Sequence, residues 1–249
     1  MTDLLGLTQT EILWLTGITF AAGLVRGFSG FALSALVMAS AVLILPPVEL
    51  IPMLWWLEMA ASLMMLKGGW ADADRKTAIG LVIGSTLGWP IGLYLTTTLP
   101  VETSRLIALC VIVALALTQL AKIRLAFLAT RPGLYGTGLI AGIVSGLAHV
   151  GGMVVALYVL ASDAPARQMR GSLVLFLFLG AITSMVTLLA FGVMDFSGVT
   201  RGLVFAIPTL IGVGLGQRLF TERLSAYYRP FCLTLLVGLA GTSLLRSLT

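Results

Sequence analysis

From Ile12 to Leu45 the chain carries one ionisable side chain, Arg26, within the stretch LVRGFSGFAL at residues 24–33. As one helix this run would be about 50 Å long, against roughly 30 Å for the hydrocarbon core of a bilayer. It must tilt steeply or break, and Gly27 and Gly30 beside the arginine mark where a break would fall. A charge inside such a run is costly in lipid and calls for a functional reason.

The rest of the chain is of the same kind. Apolar residues are 59% and charged residues 10% of the 249, with a mean hydropathy of +1.07. A water-soluble domain could not hide that much apolar surface, so the bilayer is the solvent and the fold class is an all-α polytopic membrane protein. Residues 1–249 read as a single transmembrane bundle. The formal charge of +5 does not indicate nucleic acid, because the basic residues stand singly or in small groups at the ends of apolar runs. That placement encodes membrane topology. MTDLLGLTQTE lacks a basic n-region, so no cleavable signal peptide is expected. Cys110 and Cys232 each fall inside an apolar run and are expected to be packing residues. No metal-ligand spacing is present, and neither a metal nor a cofactor is expected.

Two stretches are alike: FAAGLVRGFSGFALSALVMAS and, from Leu139, LIAGIVSGLAHVGGMVVALYVLAS. Pro46-Pro47 against Ala164-Pro165, Gly69-x-x-Asp72 against Gly192-x-x-Asp195, and Gly88-x-x-x-Gly92 against Gly212-x-x-x-Gly216 keep nearly the same offset. The chain thus divides into repeat 1, about residues 11–122, and repeat 2, about 134–247, as in many secondary transporters. Each repeat holds five apolar segments, roughly 11–26, 29–45, 48–66, 77–99 and 103–121, then 134–147, 150–162, 168–191, 199–217 and 227–245. The first two of each set form a glycine-broken helical pair, followed by three longer transmembrane helices.

Basic residues decide the direction of each crossing. If the broken pair returns the chain to its starting side, one face collects Lys67, Arg75, Lys76, Lys122, Arg124, Arg131, Arg167, Arg170, Arg218, Arg223 and Arg229, while the other holds Arg105, Arg201 and Arg246. If the pair were one crossing, the same residues would divide far more evenly. Positive-inside bias selects the first arrangement. An odd number of crossings per repeat then makes the repeats inverted, with both termini on the outer side of a cell (inner) membrane. Trp14, Trp55 and Trp56 are expected at the outer interface and Trp70 at the inner one, with Trp89 deeper.

In such an arrangement the two tips, RGFSG (26–30) and GLAHVGG (146–152), are expected to approach near mid-membrane. Helices starting after these turns aim unpaired N–H groups and a positive dipole end at the space between them, which suits a small anion. Arg26 adds a fixed charge with a planar donor fork. Gly27, Gly30, Gly151 and Gly152 let backbone approach the ligand. Ser29 offers a hydroxyl, although such serines also bond their own backbone. His149, the only histidine, could donate to an anion or carry a proton. Glu58 is a coupling site or the charge partner of Arg26. Gln119 is expected to bond a neighbouring helix, and Arg170 reads first as a headgroup contact and second as a gate at the cytoplasmic mouth.

The residues of RGFSGFAL…LPP, SGLAHVGGMVVALYVL…P…RGSL and GGWADADR resemble the TauE/SafE sulfite-exporter family, from about Gly17 to the end of the chain. Phe28, Phe31 and His149 depart from the family's glycine-rich tips. The resemblance implies a multi-pass permease for sulfite, sulfonates or other small organosulfur anions. It agrees with the separate argument for an anion site. The expected function is a secondary transporter, an exporter of a small anion by alternating access, with the lipid bilayer as its other partner and a homo-oligomer permitted. No Walker A segment is present, so ATP hydrolysis does not drive it. An anion channel is the alternative. An intramembrane enzyme is disfavoured, since one histidine and no HExxH supply neither a nucleophile–base pair nor a metal set.

Overall fold

The computed structural model describes residues 2–121, 130–161, 165–219, 233–234 and 236–246. Outside them lie Lys122, Arg124, Arg223, Arg229, Cys232, Ala164, most of the junction between the repeats, and the first part of the last apolar segment. Among the described residues every element is a helix: α1 (Thr2–Leu5), α2 (Gln9–Ser29), α3 (Leu33–Ala41), α4 (Pro47–Asp72), α5 (Arg75–Thr98), α6 (Val101–Leu120), α7 (Arg131–Ala148), α8 (Gly151–Ala161), α9 (Ala166–Ala190) and α10 (Phe196–Leu219). A further helix, α11, covers Leu236–Arg246. Six of them, α2, α4, α5, α6, α9 and α10, are long and apolar enough to cross a membrane. The protein is an all-α, multi-pass membrane protein.

Local chemistry sets the helix starts. Thr8 and Glu11 form a reciprocal cap at α2, in which the Thr8 N–H donates to Glu11 Oε2 at 2.8 Å and the Glu11 N–H donates to Thr8 Oγ1 at 3.3 Å. Pro47 opens α4. Asp74 caps α5 by accepting from the Thr77 N–H, and Asp195 accepts from the Gly198 N–H at the start of α10. The long apolar run is interrupted. Gly30, at φ 82°, ends α2 with its N–H donating to the Arg26 carbonyl at 2.8 Å. Ala32, at φ 74°, is a second left-handed residue before α3 begins. In the other repeat His149, at φ 57°, ends α7 in the same way, its N–H donating to the Ser145 carbonyl at 2.8 Å.

Contacts between ends give the direction of each helix. Arg201 on α10 donates from Nε to the Leu5 carbonyl and pairs with Glu49 through Nη1 at 2.6 Å. The starts of α2, α4 and α10 therefore share one end of the bundle, the Glu49 end, and α3 brings the chain back to it. The Asp74 N–H donates to Ser172 Oγ, and Gly171 packs against Asp72 and Ala73. These contacts place the starts of α5 and α9 together at the opposite, Asp74 end. α2, α4 and α10 run one way, and α5, α7 and α9 the other.

Two glycine-lined crossings hold the bundle. A Cβ on Gly23 or Gly27 of α2 would drive into the carbonyls of Thr209 or Val213, and one on Gly212 or Gly216 of α10 into those of Phe20 or Leu24. The register ascends in both helices, so α2 and α10 are parallel. α5 and α7 meet identically, through Gly84, Gly88 and Gly92 against Gly138, Gly142 and Gly146. In lipid, close packing of small residues replaces the hydrophobic drive between helices. Between these crossings α4 lies antiparallel to α9, with Gly69 against Val174 and the Trp55 Nε1–H donating to the Ala181 carbonyl at 2.8 Å. Outward faces carry Trp14, Leu87, Val186 and Ile207, all exposed.

Three expectations need correction. Trp55 belongs to no interfacial belt; it is buried because its indole N–H finds a carbonyl in the core. Cys110 is exposed on α6 rather than packed inside. The two helix breaks do not meet tip to tip. Gly30 lies beside Arg170, near the Asp74 end, whereas the Gly146 and Leu147 carbonyls before His149 accept from Thr96, near the far end of α5. Side chains bridge the two breaks: the guanidinium bonded to the Gly30 carbonyl also touches Glu58, which lines the cavity beside His149. α2 is long enough to cross before it turns, whereas the shorter α7 ends beside that cavity.

Candidate functional site

Arg26 points inward from the last turns of α2 and is completely buried. Its guanidinium bonds the Gly30 carbonyl through Nη1 and donates from Nη2 to Ser62 Oγ at 2.8 Å. Nε lies 3.1 Å from Glu58 Oε2, an ion pair not aligned as a hydrogen bond. The Glu58 Oε1 accepts from Ser34 Oγ at 2.8 Å. Glu58 sits near the middle of α4, while Ser34 lies in the first turn of α3. The carboxylate thus occupies a place made for an anion: a guanidinium on one side, a hydroxyl and a helix start on the other.

The first break is braced from α9. Arg170 donates from Nη2 to the Gly27 carbonyl at 2.6 Å, and its side chain covers Gly30 so closely that a Cβ there would sit 2.8 Å from Arg170 Cγ. Its guanidinium therefore turns into the bundle instead of out to headgroups. Ser29 serves its own backbone: its hydroxyl lies 2.8 Å from the Val25 and Phe31 carbonyls and accepts from the Phe31 N–H at 3.3 Å. Gly27 is a close-approach residue against α10.

The second break borders a small cavity of about 20 Å³, the size of a water molecule or two. Glu58, Ser85, Trp89, Ser145, His149 and Ser184 supply its polar or amphipathic lining, and Phe176, Leu177, Gly180 and Ala181 the rest. The His149 ring packs edge-on against Trp89, with ring centroids 5.4 Å apart. Among the described residues, neither His149 Nδ1 nor Ser85 Oγ has a hydrogen-bond partner, although both are buried. Buried polar atoms without partners are rare enough to require explanation, and a guest that bonds them is the ordinary one. Gly151 packs against Ala141 and Ser145, and Gly152 against Leu177; neither lines the cavity. Gln119 on α6 donates to the Met153 carbonyl on α8 at 3.0 Å.

Of the candidate residues, Arg26, Glu58 and His149 converge, with Glu58 bordering both the guanidinium and the cavity. Ser85, Ser145 and Ser184 escaped the sequence reading, which placed Trp89 deep without a role and took Arg170 first as a headgroup contact. Alignment of the repeats, AGLVRGFSG on AGIVSGLAH, holds the signal for one of them: it sets Ser145 opposite Arg26 and His149 opposite Gly30. The two caps confirm that register, since Gly30 bonds back to Arg26 and His149 to Ser145. Among the described residues no cluster of His, Cys, Asp or Glu could hold a metal ion.

Neither a curated protein nor a solved structure matches the chain. One family model does, described as sulfite exporter TauE/SafE, and it covers residues 15–243. A match of that extent, over a helical bundle whose described residues hold six helices long and apolar enough to cross a membrane, places the chain in the TauE/SafE sulfite exporter family, whose members are membrane transporters and not enzymes.

Proposed function

We infer that the protein is a secondary transporter that exports a small anion, sulfite or an organosulfonate, across the cytoplasmic membrane by alternating access. One observation carries this reading: a fully buried guanidinium, held by a carboxylate beside a small polar cavity. Intramembrane charges of this kind belong to substrate or ion pathways. The opposite directions of α2 and α7, of α4 and α9, and of α5 and α10 support inverted repeats, as does the exchange of partners in which each repeat's first helix packs on the other's fourth. Rocking about the α4–α9 contact would open the Arg26 site to either end. The distribution of basic residues supports the Glu49 end as the outer one, with both termini there.

Efflux from proteoliposomes loaded with sulfite tests this reading. Removing Arg26 alone would leave Glu58 buried and unpaired, so the variant of choice is Arg26→Ala combined with Glu58→Gln. Loss of a charge-assisted contact to the anion should lower saturable flux by about tenfold or more while the protein stays folded, since each factor of ten is about 1.4 kcal/mol. Wild-type flux in that variant removes Arg26 from the site. Counterflow separates the carrier from an anion channel.

A further inference from the structure

We propose that Glu58 and the transported anion compete for the Arg26 guanidinium, so that each monovalent anion enters the site together with one proton, taken up by Glu58. The proposal deepens the anion-transporter reading and rests on it. The argument is one of buried charge. At rest, Arg26 and Glu58 make a neutral pair with almost no exposure. An anion that joined them unchanged would leave an uncompensated negative charge inside low-dielectric protein, where unpaired charge is strongly disfavoured. Protonating Glu58 restores neutrality: guanidinium with anion, beside an uncharged carboxylic acid.

The geometry suits the exchange. The Nε···Oε2 contact, at 3.1 Å, is not aligned as a hydrogen bond, while the Gly30 carbonyl and Ser62 engage the other two nitrogens, so Nε is the nitrogen left for an incoming acceptor. In the step, a proton adds to Glu58 Oε2, the ion pair separates, and an oxygen of the anion accepts from Arg26 Nε. Oε1 keeps its bond from Ser34 throughout. Nothing is oxidised or reduced, and the proton and the anion leave together on release.

The groups facing Glu58 can be named. Arg26 comes from α2, Ser34 from α3, Ser62 from its own helix, Ser85 from α5 and His149 from the break after α7. Arg170 on α9 stands behind Arg26 at the Gly27 carbonyl. Of the titratable groups among the described residues, only Glu58 touches the guanidinium that the anion must reach. The cavity, with the partnerless His149 Nδ1 and Ser85 Oγ, adjoins Glu58 and offers water-sized polar space through which a proton can reach it. Flux becomes electroneutral under this scheme. Export then runs only while the outward anion gradient exceeds the inward proton gradient, and external acid reverses it.

The test is calorimetric titration of the purified full-length protein with methanesulfonate, which stays a monoanion between pH 5 and 8. Runs in buffers of different ionisation enthalpy count the protons taken up. Saturable binding with about one proton per anion in wild type is expected where Glu58 starts ionised. Glu58→Gln should keep binding with no proton uptake, and its methanesulfonate flux in liposomes should become sensitive to membrane potential. Binding without proton uptake in wild type overturns the proposal, and so does uptake that persists in Glu58→Gln but vanishes in His149→Asn. Absence of any saturable binding refutes the anion site itself and takes the coupling with it, a failure distinct from the other two.

Discussion

The two helix breaks share a backbone and differ in chemistry. Each ends its helix on a left-handed residue whose N–H returns to the carbonyl four residues earlier, and each helix is pinned by glycines to a parallel neighbour from the other repeat. At the first break Arg26 is wrapped by the Gly30 carbonyl, Ser62 and Glu58. At the second, the aligned position is Ser145, the capping residue is His149, and the surroundings are a cavity with partnerless polar atoms. The two breaks thus share a frame, while the residues at two aligned positions give one the charge and the other the room. Glu58, on the helix between them, borders both.

The comparison is most exposed at the glycine crossings. Gly27→Ala and Gly146→Ala should each lower stability by about 1–3 kcal/mol, because the added carbon meets backbone that cannot move aside. Thermal midpoints of the detergent-solubilised protein read this. Gly17, which has open space around it, supplies the control, and Gly17→Ala should leave stability unchanged or raise it by up to about 1 kcal/mol. A large loss at one crossing and none at the other would show that the repeats do not share their frame.

The capping positions are expected to give smaller and unequal effects. Gly30→Ala forces a side chain into left-handed backbone, at about 1–2 kcal/mol, and also presses on Arg170. His149→Gly relieves the same backbone strain but removes the ring that packs on Trp89, so the two changes oppose each other and the net shift should stay below about 1 kcal/mol. Melting curves of the pair test the asymmetry. Equal losses would mean that the His149 ring contributes far more packing than one edge-on contact suggests.

How much of this was legible beforehand follows from what each feature depends on. The helices and the break beside Arg26 were readable because run length, hydropathy and left-handed glycine are local properties. Helix directions were readable because Lys and Arg report on the membrane side of each loop. Depth was not. Where a broken helix turns depends on how far its partner carries it, and α2 follows α10 almost to the Asp74 end before Gly30 stops it. Arg170 was misplaced because, as a basic residue next to a chain turn, it has the sequence signature of a headgroup contact. Its place over Gly27 is set by the α4–α9 crossing, a long-range packing event. Ser85 and Ser184 carried no signal at all, since isolated serines in apolar helices usually bond their own backbone, as Ser184 does to Ala181.

Ser85 therefore supplies the finest test of the contrast between a filled break and a hollow one. Its hydroxyl is buried and, among the described residues, partnerless. If the cavity is empty space left by imperfect packing, Ser85→Ala removes a desolvated polar group and should raise stability by about 1 kcal/mol without touching flux. If the cavity is where the anion or its proton passes, the same change keeps or raises stability but lowers flux about threefold to tenfold, the weight of one hydrogen bond. The corresponding position across the repeat alignment is Thr209, whose hydroxyl donates to the Phe205 carbonyl at 2.8 Å and does not line that cavity. Thr209→Val should leave flux within about twofold of wild type, because the bond it removes is internal to α10. Reduced flux at Ser85 with none lost at Thr209 would assign the working space to the second break, whereas equal reductions would mean that both repeats line the path and that the charge at Arg26 marks only its entrance.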